Sequence, residues 1–158
     1  MSSAPTPEQR LAELGLQLPT VPAAAGNYVP YTRSGKLVFT AGALCLIEGK
    51  LLHTGKVGAT VTLEEGYAAA RACALQNLAV LREACGGDLG RVRRFLTVTG
   101  FVNAAPEFTD IPKVINGASD LFVAVFGEAG KHARTAVGAG SLPLGSAVET
   151  QVVVELVD

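Results

Sequence analysis

Few side chains in this sequence have the type and spacing that chemistry requires. His53 and His132 lie far apart and lack the spacing of metal ligands, so both read as ordinary surface or loop histidines and no metal is expected. Cys45, Cys73 and Cys85 form no C-x-x-C pair. No neighbour of Cys45 in Ala41-Gly42-Ala43-Leu44-Cys45 would lower its thiol pKa, so it reads as an inert buried thiol. The chain has no P-loop, no G-x-S-x-G elbow and no H-E-x-x-H pair. No cofactor is expected. The one basic run, Arg91, Arg93 and Arg94, opens a β-rich segment and reads as a solvated strand edge.

Composition narrows the remaining classes. Lys plus Arg total 13 against 14 Asp plus Glu, a net charge of −1, so no clustered positive surface points to a nucleic-acid partner. Only 17% of residues are charged while 49% are apolar, and buried subunit interfaces are one way to cover such a surface. No stretch approaches 18 uninterrupted apolar residues, so no membrane span is expected. The start, MSSAPTPEQR, has neither a basic n-region nor an apolar h-region. Three cysteines cannot all pair within one chain, and the expectation is a cytoplasmic protein with reduced thiols.

The elements that must carry any site follow from periodicity and capping. A length of 158 residues fits one domain, 1–158, with a short helical extension over about 1–20. Thr6, Pro7 and Gly15 bracket a helix over Pro7 to Leu14. Strands are expected over Tyr28 to Arg33, Leu37 to Ala43 and Leu51 to His53. Thr62-Leu63-Glu64-Glu65 is a capping box that opens a helix running to about Cys85, where Gly86-Gly87 stops it. Arg91 to Val102 is β-rich without clean alternation, as a central strand covered on both faces would be. A second long helix is expected from about Ile111 to Ala129, with Asp110 as N-cap and Gly130 as the stop. Arg134 to Ala139 and Val148 to Val157 complete the strands. In the last one, Glu149, Gln151 and Glu155 share one face, with Val148, Thr150, Val152, Val154 and Leu156 on the other. The order β-β-(β)-α-β-α-β-β predicts an α+β fold, a mixed sheet with both long helices on one face. Val152 and Val154 would then be free to make a sheet-to-sheet contact between subunits.

Two segments carry a resemblance. Ala133-Arg134-Thr135-Ala136-Val137, then Ser141-Leu142-Pro143 and Val148-Glu149, resembles the C-terminal signature of the Rid (YjgF/YER057c/UK114-like) family, also labelled endoribonuclease L-PSP. Gly26-Asn27-Tyr28 with Leu37-Val38-Phe39-Thr40-Ala41-Gly42 resembles its N-terminal signature. The likeness extends over the capped helix at Thr62, the strand near Thr97 and Ile115-Asn116, from about Val21 onward. It implies a chorismate-mutase-like fold and a homotrimer with a small-carboxylate ligand in each cleft between subunits. It further implies that Arg134 clamps the carboxylate of an enamine or imine such as 2-aminoacrylate, which water hydrolyses to a 2-keto acid and ammonia. Glu149 matches the acidic residue near the attacking water, Tyr28 the cleft tyrosine and Asn116 the helix asparagine. A guanidinium suits the clamp because its planar fork matches a carboxylate bidentately and keeps its charge.

Each of these residues also has a plain structural role open to it. Arg134 can pair with Glu149, Tyr28 can pack in its strand, and Asn116 can bridge its helix. The family's deaminating branch carries a serine where this chain has Ala41, a cysteine where it has Ala136, and an aromatic-proline pair where it has Lys131-His132. These departures leave the clamp in place and alter the pocket, as in a divergent branch. Three functions therefore stand side by side: an enamine/imine deaminase, a noncatalytic metabolite-binding trimer and, less favoured by the charge, an endoribonuclease.

Overall fold

The computed structural model describes residues 3–158. Helix ends form where the side chains satisfy free backbone groups. α1 (Pro7–Glu13) opens with a reciprocal cap, in which Gln9 N donates to Thr6 Oγ1 at 3.1 Å and Thr6 N donates to Gln9 Oε1 at 2.8 Å. α2 (Leu63–Ala84) repeats the device with Thr62 and Glu65, at 3.1 and 2.9 Å, and ends at the expected glycine pair. α3 (Ile111–Phe126) departs from expectation at both ends. Asp110 makes no side-chain cap; its carboxylate lies 3.5 Å from Lys113 Nζ on the exposed surface instead. The helix also stops earlier, because Gly127 takes φ +63° and turns residues Gly127–Gly130 into a 3-10 segment.

The strands are β1 (Tyr31–Ser34), β2 (Leu37–Thr40), β3 (Ala43–Leu44), β4 (Leu46–Ile47), β5 (Lys50–Leu51), β6 (Val92–Asn103), β7 (Ala133–Ala139) and β8 (Val148–Leu156). They form a mixed sheet in the order β1-β2-β8-β6-β7, with β3 also on β8, while β4 and β5 make a separate hairpin. β7 runs parallel to β6 because α3 crosses over between them; the other pairings are antiparallel.

Four strand expectations change here. The strand expected over Leu51 to His53 is only the two-residue β5, Lys50–Leu51, paired with β4 outside the main sheet. The first strand begins at Tyr31, so Tyr28 lies in the preceding loop. The strand expected over Leu37 to Ala43 is interrupted at Ala41-Gly42 and resumes as β3. The irregular pattern at the start of β6 comes from register shifts at Val92/Arg94 and Phe95/Thr97, not from cover on both faces. Beyond them alternation is regular: Val98, Gly100 and Val102 are buried, Thr99 and Phe101 half-buried.

α2 and α3 cover one face of the sheet. Val38, Val98, Val102, Val148, Val152 and Val154 join Leu78, Leu81, Ile115 and Phe122 in one core. Val152 and Val154 are therefore core residues of their own chain, which removes them from any contact between subunits. The face left open carries Glu149, Gln151, Val153 and Glu155 of β8, with Phe39 and Phe101 beside them.

Candidate functional site

The edge strand β7 sets Arg134 against α3. Its neighbour across β6 is Val98, which is fully buried under the helices, so the Arg134 side chain leaves the sheet on the helical side. There Nη1 donates to Asn116 Oδ1 at 2.8 Å and to Ser119 Oγ at 3.1 Å, and Nη2 donates to the Pro112 carbonyl at 3.4 Å. Asn116 and Ser119 lie three apart on one face of α3, which is why both reach a single nitrogen. Arg134 has no carboxylate partner among the described residues, so its possible pairing with Glu149 does not occur within the chain.

Two further side chains join this cluster that the sequence did not single out for it. His132 Nε2 lies 2.9 Å from Ser119 Oγ, and His132 Nδ1 lies 2.7 Å from the Gly130 carbonyl. Burial lowers the His132 pKa below the ordinary imidazole range, against the Gly130 bond that raises it, and the Arg134 charge lowers it further. The nearest signal in the sequence was that Lys131-His132 stands where the resembling family carries an aromatic-proline pair.

Glu149 sits elsewhere. It pairs in register with Phe101 on the open face of the sheet, three residues along β8 from the buried Val152 and so on the opposite face, with β6 between β8 and Arg134's strand. Its half-buried carboxylate has no hydrogen bond or ion pair among the described residues, and burial alone raises its pKa above the usual carboxylate range. Gly42 explains the break between β2 and β3. A β-carbon there would stand 2.5 Å from Glu149 Oε1, so the backbone passes directly over the carboxylate. Gly42 also lines a cavity of about 250 Å³ together with Tyr28, Pro30, Leu44, Gln76 and Leu144. Tyr28 is 57% exposed on that rim, and its hydroxyl accepts a bond from Ala25 N at 3.3 Å. Gln76 donates from Nε2 to the Leu46 carbonyl at 2.9 Å, leaving Oε1 buried without a partner among the described residues.

Within one chain the four candidate residues thus fall into two separate groups. Arg134 and Asn116 come together on the helical side at the sheet edge; Glu149 and Tyr28 flank Gly42 on the other part of the molecule. No group of three His, Cys, Asp or Glu among the described residues could hold a metal ion. Among the described residues no helix is long and apolar enough to cross a membrane.

A family model described as YjgF/chorismate mutase-like, putative endoribonuclease, matches residues 8–156. The chain is 48% identical to the protein TCP17 of Trypanosoma cruzi over 147 residues, covering 92% of this chain and 91% of that one. The crystal structure of an Agrobacterium tumefaciens protein of unknown function superposes with a TM-score of 0.90 at 45% identity, over 95% and 92% of the two chains. RidA from an Antarctic Psychrobacter superposes with a TM-score of 0.56 at 25% identity, over 87% and 94%.

Proposed function

We propose that this chain, which belongs to the YjgF/chorismate-mutase-like family, binds a small carboxylate metabolite in clefts between the subunits of a homotrimer and hydrolyses enamines or imines there. The observation that carries this is Arg134. A guanidinium held by neutral acceptors, Asn116 and Ser119, keeps its full charge uncompensated and available to an anion.

A shared cleft accounts for the two separate groups. Arg134 and Glu149 leave opposite faces of one sheet, so a neighbouring subunit must supply one of them if both are to meet one ligand. In that arrangement Arg134 holds the carboxylate of a 2-aminoacrylate-type enamine or its imine tautomer. Glu149, whose raised pKa makes it a stronger base than an ordinary carboxylate, takes a proton from water as it attacks the imine carbon. Glu149 passes that proton to the imine nitrogen, giving the carbinolamine, and then moves the carbinolamine's hydroxyl proton to the same nitrogen as the C–N bond breaks, so ammonia leaves and the 2-keto acid remains. Tyr28, on the cavity rim beside Gly42, and Asn116, which holds the guanidinium, complete the candidate site.

A noncatalytic binder is the second reading. Ala41 and Ala136 place methyl groups where the deaminating branch carries hydroxyl and thiol groups. Hydrolysis of 2-aminoacrylate generated in the cuvette distinguishes the two. Ammonia release above the uncatalysed rate, lost in both Arg134→Ala and Glu149→Gln, supports the deaminase. Pyruvate binding without turnover leaves the binder, and neither binding nor turnover refutes both.

A further inference from the structure

We propose that Ser119 and His132 are positioning residues that fix the Arg134 guanidinium so that only its Nε/Nη2 edge is offered to a carboxylate. This rests on the carboxylate function just proposed.

The proton inventory leads there. A guanidinium has five N–H bonds, two of them on Nη1. Both are taken, one by Asn116 Oδ1 at 2.8 Å and one by Ser119 Oγ at 3.1 Å. Nη2 has a single long contact, 3.4 Å to the Pro112 carbonyl, and Nε has none among the described residues. What remains free of a short bond is the Nε and Nη2 edge, the side-on pair whose parallel bonds match the two oxygens of a carboxylate. An end-on approach through Nη1 is closed.

Ser119 alone would not hold this pose. A serine inside a helix readily turns its hydroxyl to the carbonyl four residues back, which would swing Oγ away from Arg134. His132 supplies the competing acceptor. The Gly130 carbonyl can only accept, so His132 Nδ1 carries the proton, and the neutral ring leaves Nε2 bare. Ser119 must then donate to Nε2 at 2.9 Å, and its lone pair faces Arg134. The result is one directed chain from Arg134 through Ser119 and His132 to Gly130. The T-shaped contact of His132 with Phe122, with ring centroids 6.1 Å apart, keeps the imidazole plane in place.

The test is calorimetric titration of the full chain with pyruvate, for wild type, Arg134→Ala, Ser119→Ala, Ser119→Thr, His132→Ala and the Ser119→Ala/His132→Ala double variant, each with a thermal melt. Ser119→Ala and His132→Ala should each weaken pyruvate about three- to tenfold, the range one neutral hydrogen bond supports. The double variant should be no weaker than the worse single variant, because the two residues act as one chain. Ser119→Thr, which keeps the hydroxyl, should recover most of the affinity that Ser119→Ala loses. Long-range ¹H–¹⁵N spectra at pH 8 should show His132 protonated at Nδ1, a signature independent of ligand and of the variants' folding. Binding by both single variants equal to wild type, while Arg134→Ala loses pyruvate, overturns the positioning role and leaves the clamp intact. So does an Nε2–H tautomer. Pyruvate binding unaffected by Arg134→Ala, or absent from wild type, refutes the clamp itself and the positioning role with it.

Discussion

Replacing Arg134 separates a ligand clamp from a structural arginine, because the two roles predict different magnitudes in different assays. Arg134→Ala removes two short hydrogen bonds to neutral, half-buried side chains, Asn116 and Ser119, and a long, weak one to the exposed Pro112 carbonyl. At about 0.5–1.5 kcal/mol net for each bond, stability should fall by roughly 1–3 kcal/mol. For a chain of this size about 1 kcal/mol corresponds to roughly 2–4 °C, so the melt should drop by roughly 2–12 °C and remain cooperative. The effect on a bound carboxylate is larger. Two charge-assisted bonds from the Nε/Nη2 edge contribute roughly 1.5–3 kcal/mol each, so their loss should weaken pyruvate or 2-oxobutyrate by about two to four orders of magnitude. Arg134→Lys should recover only part of this, since an ammonium keeps the charge and loses the fork. Calorimetric titrations run beside thermal melts measure both quantities on the same samples. The clamp is refuted if wild type binds no carboxylate of the panel better than Arg134→Ala while the melts differ sharply.

Glu149→Gln tests the unpartnered carboxylate through pH. Because burial raises the folded-state pKa above the unfolded one, this group's favourable contribution is present at low pH and lost as pH rises through the folded value. The glutamine variant should therefore melt higher than wild type at pH 8, the gap closing below about pH 4, where Glu149 is protonated in both states; a constant gap would contradict the buried charge. Gly117→Ala tests the helix pair: an added β-carbon would stand 2.9 Å from the Tyr67 carbonyl carbon of α2, and overpacking of about 1–3 kcal/mol should lower the melt by roughly 2–12 °C. All three cysteines are buried and unpaired, and burial pushes the Cys73 thiol well up, so a thiol reagent should count three in denaturant without reductant and react slowly with the native protein; a count of one would reveal a disulfide. Light scattering should give three times the 16.2 kDa chain mass at micromolar concentration, and a monomer mass would remove the shared cleft.

The element order, the one-sided placement of the helices and most helix ends were legible in the sequence, because they depend on local chemistry. Thr62 and Glu65 cap α2 through groups three residues apart, and the apolar spacing of α2 and α3 marks the buried face without reference to the rest of the chain. The resemblance carried the candidate residues Arg134, Asn116, Glu149 and Tyr28, but not their arrangement. Which face of β7 Arg134 leaves from depends on register with β6, and that register is set by the α3 crossover. The break at Ala41-Gly42 has no local signature either; it exists because the backbone must clear a glutamate more than a hundred residues away in sequence. Val152 and Val154 looked available for a subunit contact because alternation identifies two faces without saying which one the helices cover. Ser119 and His132 show the same limit: each is unremarkable alone, and only the packing of β7's approach against α3 brings both within hydrogen-bond distance of one another and of Arg134.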